Sequence, residues 1–379
     1  MFPLKKYNFK NYNFSLLAIV ILACSFGAFL IQLVQKEGET LFQKQILGIV
    51  VGLIVAIIVS LIDYHFVAQF YIILYIINLV LLLYVKFFGK EINYSKRWIA
   101  IGSSFTFQPS ELSKIIMIIV LAVLFNMLRH KMDKVYVLLL GVIVMAVPTL
   151  LILTQTDLST SMVLMFVFAA MIFCAGLSYK IILTIVVIIV PIVMGLFWYV
   201  QQPYQILLQE YQQKRVLAML HPELDEYSND RYQQENSIQV IGSGKLTGKL
   251  LTEGKDAIIS DTYVPISESD FIFSVAGETF GFIGGCIIIL LLGIIIFKAL
   301  VIAHHAVDYL GMLIAVGISS MLMFQVFVNI GVATAILPNT GLPLPFFSYG
   351  LSSLLSSMIA IGLLLNINLQ RKRRGGNTI

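Results

Sequence analysis

The sequence predicts an all-α polytopic membrane protein with about ten transmembrane helices, and three observations lead to that prediction. Hydrophobic residues make up 59% of the 379 residues, whereas charged residues make up only 12%. The mean hydropathy is +0.92, which excludes an ordinary soluble globular protein. Apolar runs of about 18 residues or more recur along the whole chain. Because a backbone in lipid must satisfy its own hydrogen bonds, each run is expected to form a helix.

Ten apolar runs account for the predicted helices. They lie at 15–34, 46–62, 68–87, 110–128, 136–153, 160–177, 180–199, 271–299, 308–335 and 345–366. The first run follows three lysines, so a signal peptide is the competing interpretation. Its full spanning length and the lack of an evident small-residue cleavage site favour a retained first span.

The distribution of basic residues predicts the orientation of the chain in the membrane. With the N-terminus in the cytoplasm, 12 basic residues lie in cytoplasmic segments and 6 in short outer loops, as the positive-inside rule favours. An even number of spans returns the C-terminus to the cytoplasm with its basic tail, 371–374. Residues 201–269, between spans seven and eight, then form one large extracytoplasmic loop within a single membrane domain, 1–379.

The three cysteines and five histidines indicate neither disulfides nor a zinc site. Cys24, Cys174 and Cys286 all fall within apolar runs, where they are expected to pack as small hydrophobic residues. The histidines show no metal-binding spacing.

Asp270 is the leading candidate for a catalytic residue. Glu268 and Asp270 stand at the start of the eighth apolar run, which continues to about residue 300. An ionisable side chain at membrane depth is costly to hold in place, so its presence there indicates a function.

A second polar cluster precedes the fourth span. A Pro-Ser pair marks the helix start, and Glu111 follows in the first turn. Glu111 and Lys114 are three residues apart and share a helix face. A lone cation in an apolar stretch is costly, so Lys114 is expected to pair with Glu111. A purely structural ion pair and a pair that shapes a polar cavity are equally good interpretations. Lys96 and Arg97 lie just upstream as further cationic candidates.

Asp157 lies in a polar island between the fifth and sixth predicted spans. Its carboxylate is well placed to cap the sixth helix. Lining the same cavity as Asp270 is the other interpretation, and the sequence does not decide between the two.

The long loop contains two candidate binding elements. Residues 207–216 are predicted to form an amphipathic surface helix, in which Lys214 and Arg215 either meet phosphate groups or snorkel at the interface. Residues 241–249 include Ser243 and resemble a P-loop, but the spacing of Gly, Lys and Thr is wrong for one. The remaining interpretation is a glycine-rich turn whose backbone can approach a ligand closely.

Residues 337–353 interrupt an apolar region with three prolines and two glycines, and they include Ser348. Irregular backbone at membrane depth is tolerated only where protein buries it or where it lines a cavity. This pattern predicts a re-entrant or broken segment. All of the polar clusters are predicted on the outer side, so we expect them to converge on one outward cavity. Carboxylates and cations around such a cavity suit a substrate with a lipid tail and an anionic headgroup.

Several short blocks occur in a familiar order across nearly the whole chain. They are Arg97-Trp98, Phe107–Lys114, Asp157-Leu158, Tyr211-Gln212, Arg215-Val216, Ile241–Gly244, Ser269–Phe273, Gly281–Gly284, Asn329–Gly331 and the proline-rich stretch through Ser353. In these blocks the chain resembles the SEDS family (shape, elongation, division and sporulation), of which RodA, FtsW and SpoVE are members. Among these members, the blocks lead us to expect that the chain is most like RodA.

The resemblance implies a ten-helix membrane glycosyltransferase that polymerises lipid II into the glycan strands of peptidoglycan. It carries the family's essential aspartate onto Asp270. It likewise carries a paired Glu and Lys onto Glu111 and Lys114, and another acidic position onto Asp157. The implied partner is a class B penicillin-binding protein, the transpeptidase that cross-links the strands, alongside other elongation or division machinery. No nucleic acid partner is expected.

The chain departs from the family pattern at five positions, none of which is Asp270. They are Thr156, Ser159, Asn236, Thr279 and Leu351. The family usually has Pro at position 156, Gln at 236, Glu at 279 and Gly at 351, and it often has Gly at 159. Thr279 and Leu351 are the two departures expected to alter packing or coupling to a partner.

The expected reaction transfers the growing glycan from an undecaprenyl-pyrophosphate donor to the 4-hydroxyl of lipid II, with Asp270 as the general base. The leaving pyrophosphate would be stabilised by a divalent cation, Mg²⁺ or Mn²⁺, or by fixed cations, namely Lys96, Arg97, Lys214 and Arg215. A flippase or transporter of the same lipid-linked precursor and a non-catalytic scaffold are the alternatives. Composition and spacing do not separate these three functions.

Overall fold

The computed structural model describes residues 7, 9–36, 38–92, 95–101, 105–202, 204–206, 213–214, 216–217, 220 and 228–371. Fourteen α-helices lie in these ranges. They are α1 (Phe14–Val34), α2 (Leu41–Leu61), α3 (Tyr64–Gln69), α4 (Tyr71–Phe88), α5 (Pro109–Met127), α6 (Val135–Thr154), α7 (Leu158–Cys174), α8 (Tyr179–Val200), α9 (Ser228–Ser243), α10 (Lys249–Thr252), α11 (Ser260–Tyr263), α12 (Ile272–His304), α13 (Tyr309–Ala333) and α14 (Leu351–Leu369).

The predicted all-α polytopic membrane fold is confirmed. Of the described helices, nine are long and apolar enough to cross a membrane, and α7, with 17 residues, is an apolar helix just below that length. These ten helices fall on the ten predicted spans in order. The largest shift is in the last span, which begins at Leu351 because the proline-rich residues before it are not helical.

The helices are sorted by composition between the centre of the bundle and its periphery. Most of the apolar stretches of α5, α13 and α14 are buried, whereas no described residue of α8 is buried. The central helices carry Ser, Gly and Asn, which allow close approach and interhelical hydrogen bonds. The long run of Ile, Val and Leu in α8 instead suits contact with lipid tails.

A small three-stranded antiparallel sheet lies between α4 and α5, and the sequence analysis did not predict it. Its strands are β1 (Lys90–Ile92), β2 (Ser95–Ile101) and β3 (Phe105–Phe107), in the order β1-β2-β3. In the register of the β2–β3 pair, Ile99 is opposite Phe107 and Ile101 is opposite Phe105. The sheet leads directly into α5.

Helix α12 is interrupted at Gly281, whose φ of 63° and ψ of −157° are not helical. The amides of Phe282 and Ile283 donate outside the helix, to the carbonyls of Lys245 and Leu246, at 2.9 and 3.2 Å. The glycine-rich turn predicted from residues 241–249 therefore fills the break in α12. Its backbone approaches a helix of the same chain, and only its last part is a turn, because α9 extends to Ser243.

The region predicted as the large loop, 201–269, contains α9, α10 and α11 where it is described. The predicted amphipathic helix at 207–216 lies mostly outside the described residues, and so does the basic tail after Arg371. The two ends of the described chain meet at one end of the bundle, because Asn11 Nδ2 donates to the carbonyl of Arg371 at 2.7 Å.

The same end of the bundle holds a histidine between two carboxylates. His65 Nδ1 lies 2.8 Å from Asp63 Oδ1, and His65 Nε2 lies 2.7 Å from Asp308 Oδ2. An ionised carboxylate only accepts hydrogen bonds, so both ring nitrogens must donate and this geometry requires the imidazolium. The hydrogen bond to Asp308 raises the pKa of His65, against the opposing effect of burial. The pKa values of Asp63 and Asp308 are lowered, because hydrogen bonds that include those from His65 outweigh their burial.

We expect Gly281→Ala to destabilise the protein and Gly293→Ala, in the same helix, to leave stability nearly unchanged. A Cβ at Gly281 would lie 2.6 Å from the amide nitrogen of Gly248, whereas a Cβ at Gly293 meets nothing within 4 Å. The backbone conformation at residue 281 by itself costs about 1–3 kcal/mol for a residue other than glycine. Thermal unfolding of the purified variants in detergent measures the difference, and equal midpoints would contradict the account of the break.

We expect the stability of the protein to fall as the pH rises above about 6.5, the usual pKa of histidine. The pKa of His65 is raised in the folded protein, so the protonated ring contributes fully to folding stability below about 6.5. That contribution is lost as the pH rises through the folded-state pKa of His65. The carboxylates contribute in the opposite sense, and their part is lost only in strong acid. His65→Gln should flatten the decline in unfolding midpoint between pH 6 and 9, whereas His130→Gln, at an exposed position, should preserve it.

Candidate active site

The proline-rich segment, residues 337–350, runs between α13 and α14 and is not helical. Its three prolines cannot donate backbone hydrogen bonds, and Gly341 adopts a φ of 74° that favours glycine. Carbonyl groups along the segment are therefore paired with side chains of other elements. Thr340 accepts from Ser159 of α7, Leu342 from Asn329 of α13 at 2.7 Å, and Ser348 from Gln45 of α2 at 3.3 Å.

Asp270 lies in the turn immediately before α12, half-buried and beside the proline-rich segment. Ser269 Oγ donates to Asp270 Oδ1 at 3.0 Å. A Cβ placed on Gly341 would lie 3.3 Å from Asp270 Oδ2, so the absence of a side chain at position 341 leaves room beside the carboxylate.

The backbone on both sides of the Asp270 carboxylate is fixed from outside its own turn. Asn329 Nδ2 donates to the carbonyl of Asp270 at 2.9 Å. The amide of Tyr349 donates to the carbonyl of Glu268 at 2.8 Å. Ser348 Oγ donates to the carbonyl of Ser269 and accepts from the amide of Leu344, so its hydroxyl holds the turn that carries Asp270.

Asp157 is almost completely buried and fills the capping role that the sequence allowed. Its Oδ1 accepts from the amide of Thr160 at 3.1 Å, the usual contact at the start of a helix. Its Oδ2 accepts from Thr160 Oγ1, Ser110 Oγ and Gln108 Nε2, at 2.9, 3.1 and 3.1 Å. The same carboxylate therefore caps α7 and joins it to the start of α5.

Glu111 and Lys114 form an ion pair at the centre of the bundle. Lys114 Nζ lies 2.8 Å from Glu111 Oε2, and the two side chains are 1% and 4% exposed. Ser356 of α14 donates to Glu111 Oε2 at 3.0 Å. Among the described residues, Lys114 Nζ has no well-aligned hydrogen-bond acceptor, so Glu111 compensates its charge through proximity.

The other predicted cationic and polar candidates are spread over the region. Arg97, on β2, donates from Nε to the carbonyl of Gln155 at 3.2 Å and from Nη2 to the carbonyl of Thr156. It thereby holds the turn before Asp157, in which Thr156 has a φ of 63°.

Lys96 is exposed on the same strand, and Lys214 is half-buried. Ser243 donates within α9 to the carbonyl of Val240, and Arg215 lies outside the described residues.

Glu278 is a buried acidic residue of this region that the sequence analysis did not single out. Its carboxylate is fully buried in α12 and lies 2.6 Å from Lys249 Nζ. It accepts further hydrogen bonds from the amides of Ile259 and Ser260 and from Ser260 Oγ. Residues 249–260 are thus bound to the helix that follows Asp270. An acidic residue inside an apolar run was the signal that could have identified it.

Two of the departures from the family pattern have a structural explanation. The hydroxyl of Ser159, where Gly is common, donates to Thr340 of the proline-rich segment. The side chain of Leu351, where a second Gly is usual, occupies the space over Gly48 of α2.

A divalent cation remains an expectation from the sequence. In the described part of the chain, no three His, Cys, Asp or Glu side chains are grouped closely enough to hold a metal ion. The described side chains around Asp270 therefore do not by themselves provide enough ligands for a metal ion.

The fold and the polar site at one end of the bundle define a class of multi-pass membrane protein, and comparison with known proteins identifies its family. The family of cell cycle proteins FtsW, RodA and SpoVE matches residues 10–373. The chain is 32% identical to a probable peptidoglycan glycosyltransferase FtsW of Trichlorobacter lovleyi, over 96% of this chain and 95% of that one. It is 33% identical to the peptidoglycan glycosyltransferase MrdB of Escherichia coli, over 79% and 78% of the two chains.

Solved structures of similar proteins have the same fold. A chain from a structure described as the structural coordination of polymerization and crosslinking by a peptidoglycan synthase complex matches with a TM-score of 0.78 and 26% identity. The match covers 94% of this chain and 97% of that chain. Thermus thermophilus RodA matches with a TM-score of 0.69 and 26% identity, over 97% and 98% of the two chains. This protein belongs to the FtsW, RodA and SpoVE family, and the predicted enzyme class, peptidoglycan glycosyltransferase, is confirmed.

We expect Lys114→Met to cost about 3–5 kcal/mol of stability, because it leaves the carboxylate of Glu111 buried without a compensating charge. The double variant Lys114→Met, Glu111→Leu should recover most of that loss, since an apolar pair needs no compensation. Lys134→Met is the control, because its ion pair with Asp133 is about 60% exposed on both sides and should contribute no more than about 1 kcal/mol. Chemical unfolding in detergent compares the three, and a loss at Lys114 no larger than at Lys134 contradicts the expectation.

Proposed function

We propose that this protein polymerises glycan strands by transferring the growing glycan from an undecaprenyl-pyrophosphate donor to the 4-hydroxyl of lipid II, with Asp270 as the general base. The observation that carries the proposal is the setting of Asp270. Its carboxylate is half-buried at the start of a spanning helix, and the backbone on both sides of it is fixed by α13 and the proline-rich segment. A catalytic base needs such a fixed position together with access to the substrate.

In the proposed step, Asp270 takes the proton of the 4-hydroxyl while that oxygen attacks the anomeric carbon of the donor. The bond between that carbon and the pyrophosphate oxygen breaks, and its electron pair leaves with the pyrophosphate. A single displacement inverts the anomeric centre, so the α-linked lipid donor gives a β-linked strand. Detection of an α-linked strand would contradict this scheme.

The leaving pyrophosphate requires positive charge nearby. Lys96 is exposed on β2, where an anionic substrate can reach it, and Lys214 is half-buried. Arg97 donates two hydrogen bonds to carbonyls of the turn before Asp157. Its main role is therefore proposed to be positioning that turn. Glu111 and Lys114 pair with each other, and Asp157 caps α7 and accepts hydrogen bonds from the start of α5. These three residues are proposed to shape the region around the substrate.

The proposed orientation places Asp270 on the outer face of a bacterial plasma membrane and both termini in the cytoplasm. The excess of basic residues in the predicted cytoplasmic segments supports it. The proposed partner is a class B penicillin-binding protein, within elongation or division machinery. Support comes from the similar chain in a peptidoglycan synthase complex that couples polymerization to crosslinking.

We expect Asp270→Asn to lower strand formation by about 10²-fold or more, because a positioned general base contributes about 10²–10⁴-fold. The assay follows labelled lipid II with the purified protein, its penicillin-binding partner and no membrane gradient. Asp256→Asn, an exposed carboxylate on the same stretch of chain, should retain full activity. Equal strand formation by the wild type and Asp270→Asn would remove Asp270 from the role of base. The absence of strands from a well-folded wild-type complex would favour the flippase or scaffold.

A further inference from the structure

Asn329, near the end of α13, connects the two stretches of backbone that border the Asp270 carboxylate. Its side chain is 1% exposed. One nitrogen, Nδ2, donates to the carbonyl of Asp270 at 2.9 Å and to the carbonyl of Leu342 at 2.7 Å. Leu342 adjoins Gly341, where an added Cβ would lie 3.3 Å from Asp270 Oδ2. A single primary amide therefore spans the turn before α12 and the proline-rich segment.

The chemistry of this bridge is specific to a primary amide. The NH₂ group of Asn carries two hydrogens on a planar nitrogen, and the two carbonyl oxygens use both of them. A hydroxyl side chain offers one hydrogen, and an aliphatic side chain offers none. Without the bridge, two carbonyls at the site would lose their donor, and the separation between Asp270 and Gly341 would no longer be fixed from α13.

The geometry points to Asn329 as a positioning residue for the general base. It holds the Asp270 carboxylate at a set distance from the Gly341 backbone, and so defines the space in which the attacking hydroxyl meets the base. This inference rests on the proposed function of Asp270. Asn329 acts through Asp270 and not on the substrate, so it should affect the rate of the chemical step rather than the affinity for lipid II.

Asn366 of α14 provides a matched control at the opposite end of the bundle. It too is completely buried and bridges backbone groups, donating to the carbonyl of Ser60 at 2.8 Å and accepting from the amide of Tyr64 at 3.1 Å. Asn366→Leu therefore removes a comparable set of buried hydrogen bonds without touching the turn that carries Asp270.

The test measures kcat and KM for lipid II polymerisation, together with thermal stability, for Asn329→Leu, Asn366→Leu and Asp270→Asn in the complex with the penicillin-binding partner. Both Asn→Leu variants should lose stability. Asn329→Leu should lower kcat by about 10–100-fold, as expected when a catalytic group is misplaced by about an ångström, and leave KM within about threefold. Asn366→Leu should leave kcat of the folded protein within about twofold of the wild type, since it moves no reacting group.

Three outcomes would overturn the inference: an unchanged kcat in Asn329→Leu, a change confined to KM, or an equal fall in kcat in both Asn→Leu variants. If Asn329→Leu does not fold, Asn329→Ser, which keeps one donor, carries the same test and should show an intermediate fall in kcat. Combining the substitution at position 329 with Asp270→Asn should produce no further loss, because the bridge acts through Asp270. Full activity of Asp270→Asn would instead remove Asp270 from the role of base, the part of the proposed function on which this inference rests.

Discussion

The structure of the site depends on a stretch of irregular backbone that satisfies only some of its own hydrogen bonds. The proline-rich segment, 337–350, is not helical, and neighbouring helices of the bundle provide donors for three of its carbonyls. Ser159, Asn329 and Gln45 each give a hydrogen bond to one of its carbonyls, from three different helices. Because an unpaired carbonyl at this depth is costly, these contacts fix the helices relative to the segment as much as they fix the segment itself.

Three carboxylates around the site, those of Asp157, Glu278 and Asp270, are of two kinds that differ in burial and in how they are held. Asp157 accepts four hydrogen bonds, and Glu278 pairs with Lys249 as well as accepting from residues 259 and 260. Both are buried, so their charges serve to join one element to another. Asp270 is half-buried instead, and most of the contacts that fix it are made to the backbone around it. That arrangement leaves a carboxylate that is held in place and still reachable.

The sequence predicted most of the fold because a spanning helix is encoded locally, as about 20 consecutive apolar residues. It also singled out Asp270, whose catalytic role stays a prediction, and the Glu111–Lys114 pair, since an ionisable residue in such a run stands out. For Asp157 it offered two interpretations, and the structure shows the capping contact. It did not predict the sheet, whose three-residue outer strands are too short for a periodic pattern. The break at Gly281 and the anchoring of Glu278 depend on contacts with residues 245–260, and no local pattern encodes a contact between distant segments. The role of Arg97 was missed for the same reason, because its acceptors lie near residue 156.

The break at Gly281 divides α12 into two helical parts that are not joined by a continuous hydrogen-bond ladder. Residues 282–304 form the longer part, and residues 272–280 continue from the turn that carries Asp270 and include Glu278. Two hydrogen bonds that would make the helix one rigid rod are made to Lys245 and Leu246 instead. Residues 272–280 are therefore attached to residues 249–260 through Glu278 and to α1 through the ring of Phe280. A displacement of residues 245–260 would be transmitted through this short stretch of helix to the turn that carries Asp270.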